Sequence, residues 1–451
     1  MVFTSVNPYD FAEIGTYPAL ANIELDDKVR RAQGAFQSWK KTDFSQRSEL
    51  LKKVAVLLKE RCAEFGRLIS LEMGKPLAQG VAEVEKCAWV CDYYAENGER
   101  FLKEEVVATD ASFSSIRYDP LGCILGIMPW NFPFWQVFRF VAPTVMAGNT
   151  VLLKHAPNVF GAALAIEKIM MQAGFPDGVF QSLVIDVGQV PRAIKNRSVR
   201  AVSLTGSERA GSHVAAQAAK AVKKALLELG GSNAFIVMED ADLELAVRLG
   251  ITARMQNNGQ SCIAAKRFLV HEAIMDEYLA RFEEAMGAFT MGDPLDPSTT
   301  LGPLAREDLA INLERQVRQS IEDGAELRLG GKRDRTFFEP TVLTNVQKGM
   351  PAFEEELFGP VAAFSTFGTT EEAVKLSNSS PYGLGVSIFT RDPDHVKDVL
   401  SDIEDGAVFI NDMVKSDPRL PFGGTKQSGF GRELGLMGIR EFVNLKTIYQ
   451  A

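Results

Sequence analysis

The amino-acid sequence predicts an α/β fold with two domains, each built on a mainly parallel sheet. From residue 123 onward, short apolar runs bounded by Gly, Pro or Asn alternate with stretches in which apolar residues have helical spacing. This alternation is typical of βαβ units. It is interrupted at Gly230 and Gly231 and then resumes, which favours two domains over one continuous sheet. A length of 451 residues is also sufficient for two or three domains.

The individual elements follow from the same patterns. Before residue 120, apolar residues recur every three or four positions in three segments, which predicts helices over 25–39, 45–61 and 78–102. Later apolar runs predict strands over 123–128, 151–153, 201–204, 225–228, 235–238 and 266–270. The stretches that follow them predict helices over 134–146, 159–173, 210–225, 243–257 and 273–289. Residues 106–108 and 114–118 have the pattern of paired strands, and an exposed hairpin of this kind needs coverage by a partner.

Composition argues against several classes of protein. The chain is 46% hydrophobic and 24% charged, as in ordinary globular proteins. Its net charge of −9 argues against binding to nucleic acid or to an anionic membrane, which requires a basic surface. The apolar stretches are too short to cross a bilayer, and the N-terminal residues lack the pattern of a signal peptide. Five cysteines do not form a disulfide framework in so long a chain, so a reducing cytoplasm is the expected compartment.

The segment NNGQSC, which ends at Cys262, has the composition of a reactive site. Small polar residues surround Cys262 in place of the apolar neighbours that are typical of a structural cysteine. Gly259 allows a sharp turn before the sulfur, and flanking backbone amides can donate hydrogen bonds to an anion. The alternative is that the thiol fills a core position, so the cysteine alone does not establish catalysis.

Other segments carry groups that suit such a nucleophile. Glu228 ends an apolar run, where burial raises the pKa of a carboxyl toward that of a useful base; the alternative is a strand-end Glu in solvent. Asn131 lies in the rigid loop MPWNFP, where its amide either donates to an oxyanion or is structural. Ser207 belongs to the segment LTGS, where a strand leads into a helix whose first N–H groups can bind phosphate. Lys154 ends another apolar run and either reaches a ribose or phosphate or lies on the surface.

Together these segments resemble the aldehyde dehydrogenase superfamily over nearly the whole chain. The motifs that carry the resemblance are MPWNFP, LELGG around Glu228, GQSC, EELFGP at 355–360 and PFGGTKQSG at 421–429. The resemblance implies two Rossmann-like domains and a small β hairpin for oligomerisation. It further implies an enzyme that oxidises an aldehyde with NAD or NADP and assembles as a homodimer or as a tetramer of dimers.

The resemblance implies a role for each motif residue. Cys262 is the expected nucleophile, Glu228 the general base that activates water, and Asn131 a donor to the oxyanion. Relatives that pass the acyl group to coenzyme A typically lack this glutamate, so Glu228 favours hydrolysis to a free carboxylic acid. The residues expected to bind the cofactor are Trp130, Lys154, Pro157, Gly206, Ser207, Leu229, Glu356 and Phe358.

Pro157 leaves the choice between NAD and NADP open. Many NAD-preferring members of the superfamily have a Glu three residues after the lysine, which binds the ribose hydroxyls and repels a 2′-phosphate. Pro157 removes that repulsion without offering a donor, while Lys154 and His155 are candidate donors to a phosphate. Either cofactor is therefore expected.

Within the superfamily, the chain most resembles bacterial succinate-semialdehyde dehydrogenases, through the segment LKHAPNV at 153–159 and through Arg139. A guanidinium can grip the single carboxylate of succinate semialdehyde, and an interhelical ion pair is the alternative explanation for Arg139. Gln256 stands where some of these enzymes have a second arginine, and Ser416 is expected to complete the pocket. Glutarate semialdehyde or another small aldehyde is an alternative substrate, and a non-catalytic protein that retains the fold is an alternative function.

The resemblance also implies domain limits. They are residues 1–106 and 123–229 for the cofactor domain, 230–428 for the catalytic domain, and 107–122 and 429–451 for oligomerisation. No metal site is expected, because Cys87 and Cys91 lack further ligands nearby and are assigned to the core. Ala264 replaces a second cysteine found in some relatives, so no disulfide with Cys262 is expected. The expected partners are a small-molecule semialdehyde and further copies of the chain.

Overall fold

The computed structural model describes residues 1–451 except for the side chain of His395. The helices are α1 (Asn22–Trp39), α2 (Phe44–Glu60), α3 (Cys62–Met73), α4 (Leu77–Phe101), α5 (Trp135–Met146), α6 (Phe160–Gln172), α7 (Val190–Lys195), α8 (Glu208–Lys220), α9 (Leu243–Met255), α10 (Met275–Gly287), α11 (Glu307–Glu322), α12 (Pro351–Glu354), α13 (Thr370–Asn378), α14 (Pro393–Val399) and α15 (Gly435–Arg440). Single turns of 3-10 helix lie at Pro157–Val159, Val187–Gln189, Gln256–Gly259, Glu272–Ile274 and Leu400–Asp402. Within the described residues, no helix combines the length and the apolar content needed to span a bilayer.

The strands are distributed along the whole chain. They are β1 (Val2–Val6), β2 (Glu13–Pro18), β3 (Glu105–Val106), β4 (Phe113–Pro120), β5 (Cys123–Met128), β6 (Thr150–His155), β7 (Phe180–Ser182), β8 (Val199–Thr205), β9 (Lys224–Glu228), β10 (Asn233–Val237), β11 (Ala265–His271), β12 (Glu326–Leu329), β13 (Arg333–Asp334), β14 (Phe337–Phe338), β15 (Thr341–Thr344), β16 (Val361–Phe367), β17 (Tyr382–Gly383), β18 (Val386–Phe389), β19 (Val408–Ile410), β20 (Thr425–Lys426), β21 (Gly429–Phe430) and β22 (Val443–Gln450).

The first central sheet has the strand order β21-β9-β8-β5-β6-β7 and is parallel except for β21. Its strands are continuous apolar runs because both faces are covered. On β6, Val151 and Leu153 face the core formed with α2 to α6, while Leu152 faces the core formed with α1, α7 and α8. The alternation follows from the two-residue period of a strand.

The second central sheet has the order β12-β15-β16-β11-β10-β18-β19 and is parallel except for β12. A smaller antiparallel sheet, β22-β4-β3, joins the last strand of the chain to the predicted hairpin. The prediction of two parallel-sheet units and of a paired segment near residues 106–118 is therefore confirmed.

Several predicted boundaries were wrong. The helix predicted over 210–225 ends at Lys220, because the chain turns through Val222, at φ 52°, directly into β9. The helix predicted over 243–257 ends at Met255, because Asn257 and Asn258 adopt left-handed conformations. Helix α3 and the hairpin β1–β2 lie in segments for which no element was predicted.

The order of the first sheet determines where a ligand can bind. From β5 the chain continues to β6 and β7 on one side, and it then returns to β8 and β9 on the other. Connections that leave neighbouring strands in opposite directions open a crevice at the carboxyl ends of those strands. The loop with Asn131 follows β5, and the loop with Gly206 and Ser207 follows β8, so both lie at this crevice.

Candidate active site

The turn before Cys262 has an unusual backbone conformation. Asn257, Asn258 and Gly259 are consecutive left-handed residues, with φ of 58°, 56° and 74°. At Gly259, a Cβ atom would lie 2.2 Å from the carbonyl oxygen of Gly359. Only glycine fits so close to another backbone, so Gly259 allows the loop of Cys262 to pack against the segment that carries Phe358.

Side-chain amides hold the two strained asparagines in place. The Asn257 amide donates to the carbonyl oxygens of Asn131, at 2.7 Å, and Gln260, at 2.9 Å. The Asn258 amide donates to the carbonyl oxygen of Gly74 at 2.9 Å. Left-handed conformations cost free energy for residues other than glycine, and these buried hydrogen bonds offset that cost. The loop of Cys262 is thereby tied to the loop of Asn131.

Lys266 supports the same loop from β11 and was not identified from the sequence. Its buried ammonium donates to the carbonyl oxygens of Ser261, at 2.8 Å, and Cys262, at 2.9 Å, and it pairs with Glu356 at 3.0 Å. Burial lowers the pKa of Lys266, and the Glu356 carboxylate acts in the opposite direction. A lysine inside an apolar strand segment was the available signal, because a buried cation requires partners.

Cys262 lies between two cavities, which we call the cofactor-side cavity and the aldehyde cavity. The cofactor-side cavity, of about 510 Å³, is lined by residues that include Trp130, Asn131, Gly206, Ser207, Leu229, Glu356 and Phe358. The aldehyde cavity, of about 470 Å³, is lined by residues that include Lys86, Arg139, Gln256 and Ser416. Cys262 and Gln136 line both cavities. A thiol in this position can contact a small molecule on one side and a second molecule on the other.

The cofactor-side cavity has the groups that a nicotinamide dinucleotide requires. Trp130 and Phe358 form aromatic walls in an edge-to-face pair with centroids 5.7 Å apart. Ser207 caps α8, and its hydroxyl accepts the N–H of Ala210 at 3.4 Å, which leaves other N–H groups of the first turn available for a phosphate. Glu356 accepts the N–H of Gly231 at 3.1 Å, which orients its carboxylate. These residues therefore fit the expected cofactor.

Two residues at the end of β6, Lys154 and His155, were expected to be available to a cofactor phosphate, and the structure leaves only Lys154 available. Lys154 is buried, and burial lowers its pKa to about 8. Pro157 is exposed at the start of the following turn. His155 is fully buried, its ring nitrogens lie 3.1 and 2.9 Å from the carbonyl oxygens of Met128 and Pro133, and burial lowers its pKa to about 4. His155 is thus structural, and its expected availability to a phosphate was wrong.

The surroundings of Cys262 favour its protonated thiol form. Burial raises the pKa of Cys262 to about 11, and the nearby charges of Arg139 and Lys266 act in the opposite direction. Beside the thiol, the Asn131 amide donates one hydrogen to the carbonyl oxygen of Gln260 at 3.0 Å. An amide nitrogen has a second hydrogen, which can be donated to an oxygen atom on a carbon bonded to the sulfur.

Glu228 is buried more deeply than the sequence predicts. Neither carboxyl oxygen has a hydrogen-bond partner in the structure, and Oε1 packs against Gly423. Burial raises the pKa of Glu228 well above its usual value, Glu433 adds to the rise, and Arg139 opposes it. In this orientation Glu228 lies near Arg139 and Glu433, where burial favours its neutral form, and a rotation of its side chain is needed to reach a water molecule beside Cys262.

Arg139 lines the aldehyde cavity and is already paired. Its guanidinium forms a buried ion pair with Glu433, lies 3.4 Å from the hydroxyl of Thr205 and stacks over Phe422 at 4.7 Å. Arg139 therefore lines the pocket and is also in an ion pair, but its partner Glu433 lies in the segment before α15 and not in a helix, so the pair is not the interhelical one given as the alternative. Gln256 is exposed, at the opening of the cavity.

Glu83 sets the direction of the helix that carries Arg139. Its Oε1 accepts the backbone N–H groups of Phe134, at 2.9 Å, and Trp135, at 3.0 Å, at the start of α5. Its other oxygen pairs with the buried Lys75. A carboxylate at the first turn also interacts favourably with the helix dipole. Cys87 and Cys91 are fully buried on the same helix as Glu83, in the core.

A model of the aldehyde dehydrogenase family matches residues 1–448. The chain belongs to this family. It is 49% identical over 454 residues to the probable NADP+-dependent succinate-semialdehyde dehydrogenase of Synechocystis sp., with 100% of both proteins covered. It is 44% identical to the succinate semialdehyde dehydrogenase [NAD(P)+] of Escherichia coli, over 99% of this chain and 97% of that protein.

The fold agrees with the family assignment. The crystal structure of succinic semialdehyde dehydrogenase from Streptococcus pyogenes, in complex with NADP+, superimposes with a TM-score of 0.97 at 35% identity and covers 99% of both chains. The family and the fold class inferred from the sequence motifs are therefore confirmed.

Proposed function

We propose that this protein is an NAD(P)-dependent succinate-semialdehyde dehydrogenase, which oxidises succinate semialdehyde to succinate. The observation that carries the proposal is the position of Cys262 between a cavity that fits a dinucleotide and a cavity lined by Lys86, Arg139 and Ser416. An aldehyde that carries a carboxylate at its far end suits such a cation-lined cavity. Full-length relatives named for this activity, at 44% and 49% identity, support the same substrate.

The proposed reaction begins with Cys262. After the thiol has lost its proton to solvent, its sulfur attacks the aldehyde carbon as a thiolate and forms a thiohemiacetal, whose oxyanion accepts hydrogen bonds from the Asn131 amide and from the backbone N–H of Cys262. A nicotinamide bound in the cofactor-side cavity would supply the hydride acceptor for that carbon. The product on the protein is then a thioester of Cys262.

Hydrolysis of the thioester requires a base, and Glu228 is the proposed one. Once it has rotated out of its buried position and ionised, the Glu228 carboxylate takes a proton from water, whose oxygen attacks the thioester carbonyl carbon; the C–S bond breaks, and succinate and the Cys262 thiol are released. Burial favours the protonated form of Glu228 in the observed orientation, so exposure to water is also what would restore the carboxylate that this step needs. The proposal requires the Glu228 side chain to rotate from its buried position toward Cys262.

The cofactor is proposed to be held by residues that line the cofactor-side cavity and by two residues at the end of β6, Lys154 and Pro157, which lie outside that lining. Lys154 and Pro157 would face the adenosine ribose, and Gly206 and Ser207 the pyrophosphate. Glu356 would hold the nicotinamide ribose, with Leu229 and the aromatic pair of Trp130 and Phe358 beside the ring. Since Pro157 carries no charge, a 2′-phosphate is not repelled there, and the two relatives are named for NADP+ and for NAD(P)+.

For the substrate, Arg139, Gln256 and Ser416 are proposed to contact the end that carries the carboxylate. Glutarate semialdehyde, one methylene longer, is the alternative substrate.

We further infer a homodimer or a tetramer of dimers in a reducing cytoplasm. The small sheet β22-β4-β3 exposes Val106 and Leu445, which a second copy can cover.

Formation of reduced cofactor with succinate semialdehyde and with butanal tests the proposal. Butanal has the same chain of four carbons but no carboxylate. We expect kcat/KM for succinate semialdehyde to exceed that for butanal by at least about tenfold, since one hydrogen bond to a charged group contributes about 1.5–3 kcal/mol. Equal values would show that the cavity does not recognise a carboxylate, and the semialdehyde assignment would fail.

A further inference from the structure

The cationic side chains that line the aldehyde cavity differ in whether they have an ion-pair partner. Among the lining residues, Lys75, Arg139 and Lys415 pair with Glu83, Glu433 and Asp412, respectively. Lys86, on α4, also lines the cavity. Within the part of the chain that the structure describes, Lys86 is the cation of this cavity without an ion-pair partner. The carboxylates of Glu83 and Asp417 also line the cavity and attract the Lys86 ammonium, but each is paired with another cation, Glu83 with Lys75 and Asp417 with Arg419 at 2.6 Å.

The hydrogen bonds around Ser416 use both lone pairs of its hydroxyl oxygen, so this cluster can donate further hydrogen bonds but cannot accept one. Its hydroxyl oxygen accepts the Lys86 ammonium at 2.9 Å and the Trp135 indole N–H at 3.1 Å. Ammonium and indole groups donate and cannot accept, so both lone pairs of the hydroxyl oxygen are occupied. The hydroxyl hydrogen of Ser416 is then left to donate, and the Lys86 ammonium has further hydrogens. A group that binds the Ser416 hydroxyl and the Lys86 ammonium together must therefore be a hydrogen-bond acceptor. An anionic acceptor also neutralises the positive charge of Lys86.

The surroundings strengthen such an interaction. The Lys86 ammonium lies 4.3 Å from the centroid of the Trp135 ring, and Trp89, Met413 and Phe422 contribute to the same cavity wall. Apolar walls reduce screening by water, so a charge at this position acts more strongly on an anion than a surface lysine does. Burial lowers the pKa of Lys86 to about 8, which leaves the ammonium as the main form at neutral pH.

We propose that Lys86 and Ser416 form the subsite for the carboxylate of the aldehyde substrate, with Lys86 as the residue that determines the preference for carboxylated aldehydes. This inference rests on the function proposed above. Arg139 shares its charge with Glu433, so the contact with the carboxylate that is proposed for it above adds less to this preference than the unpaired charge of Lys86 does. The far end of the substrate is then recognised by α4 and by the loop that carries Ser416, and the aldehyde end by the loops of Asn131 and Cys262.

The test compares Lys86→Met with the wild type on succinate semialdehyde and on butanal. Met keeps an unbranched stem and removes the charge. We expect kcat/KM for succinate semialdehyde to fall by about 10- to 150-fold, mainly through KM, which is the range for one lost hydrogen bond to a charged group. For butanal, we expect a change of less than about threefold. Lys53→Met, on the exposed face of α2, is the matched control for the loss of one positive charge, and it should change neither value.

The outcomes separate this inference from the proposed function. If the wild type itself does not prefer succinate semialdehyde to butanal, the proposed function fails. If the wild type has that preference and Lys86→Met retains it, the function stands and the Lys86 subsite is refuted. If Lys86→Met is inactive with both aldehydes, Lys86→Gln takes its place, because Gln keeps a polar head without charge. The same outcomes then apply to its ratio of kcat/KM for succinate semialdehyde to kcat/KM for butanal. Lys86→Arg should retain most of the preference, and its loss in this variant would also count against a charge-based role.

Discussion

The buried pair of Arg139 and Glu433 leads to a quantitative prediction about stability. The side chains are only 2% and 4% exposed, and they join α5 to the segment before α15. Removal of one member of a buried ion pair costs about 3–5 kcal/mol, because the remaining charge stays buried without its partner. We expect Glu433→Gln to be near the lower end of this range, since Arg139 can then pair with Glu228.

Arg139→Met should be the more harmful of the two substitutions. It leaves Glu228 and Glu433 as neighbouring buried carboxyl groups, and the pKa of each is already raised by burial. A group with a raised folded-state pKa binds more protons in the folded protein than in the unfolded chain. Loss of Arg139 raises the pKa of Glu228 and of Glu433 further. The free energy of unfolding of this variant should therefore fall as the pH rises. The stability that the variant loses relative to wild type should be larger at pH 8 than at pH 5.

A double-mutant cycle measured by urea unfolding checks this prediction. All four tryptophans, at positions 39, 89, 130 and 135, precede residue 230, so their fluorescence reports on the predicted cofactor domain. We expect the double variant to lose at least about 2 kcal/mol less than the sum of the two single losses, as for residues in direct contact.

The matched control is Lys59→Met. Lys59 pairs with Asp92 at 2.7 Å, but the two side chains are 56% and 31% exposed, so the loss should be below about 1 kcal/mol. Additive losses for Arg139 and Glu433, or single losses as small as that of the control, would refute a strong buried pair.

Two further predictions concern the reaction itself. Since the thiolate is the reactive form and the pKa of Cys262 is raised to about 11, the rate of its alkylation by iodoacetamide should rise about tenfold per pH unit from pH 7 to 9, with Cys262→Ala as the control; a flat profile would contradict a raised thiol pKa. In Glu228→Gln, the amide cannot take a proton from water, so one equivalent of reduced cofactor should form rapidly per active site, followed by a steady rate reduced by about 10²–10⁴-fold; an undiminished steady rate would exclude Glu228 as the base.

The residues of the catalytic loops were recognisable from the sequence because their local composition is unusual. A cysteine among small polar residues, an amide between two prolines and a carboxylate at the end of an apolar run each differ from what a core or a surface requires. The structure brings Cys262 and Asn131 to one crevice and places Glu228 beside Arg139. The roles of these residues stay predictions, and their catalytic tests are given above.

The sequence by itself determined the α/β class, most of the helices and strands of the first 290 residues, and the motifs of the family, because backbone preference and motif chemistry are local properties. Only the tertiary structure decided the partners of the buried charges. Lys86 and Ser416 are 330 residues apart, Lys266 and Glu356 are 90 apart, and nothing near either lysine in the chain indicates its partner. Lys86 follows Glu85 on an ordinary amphipathic helix, and it becomes a cavity cation because the packing of α4 against α5 and the loop of Ser416 removes it from water. Burial and charge pairing depend on which distant segments meet, and that is a property of the packed fold.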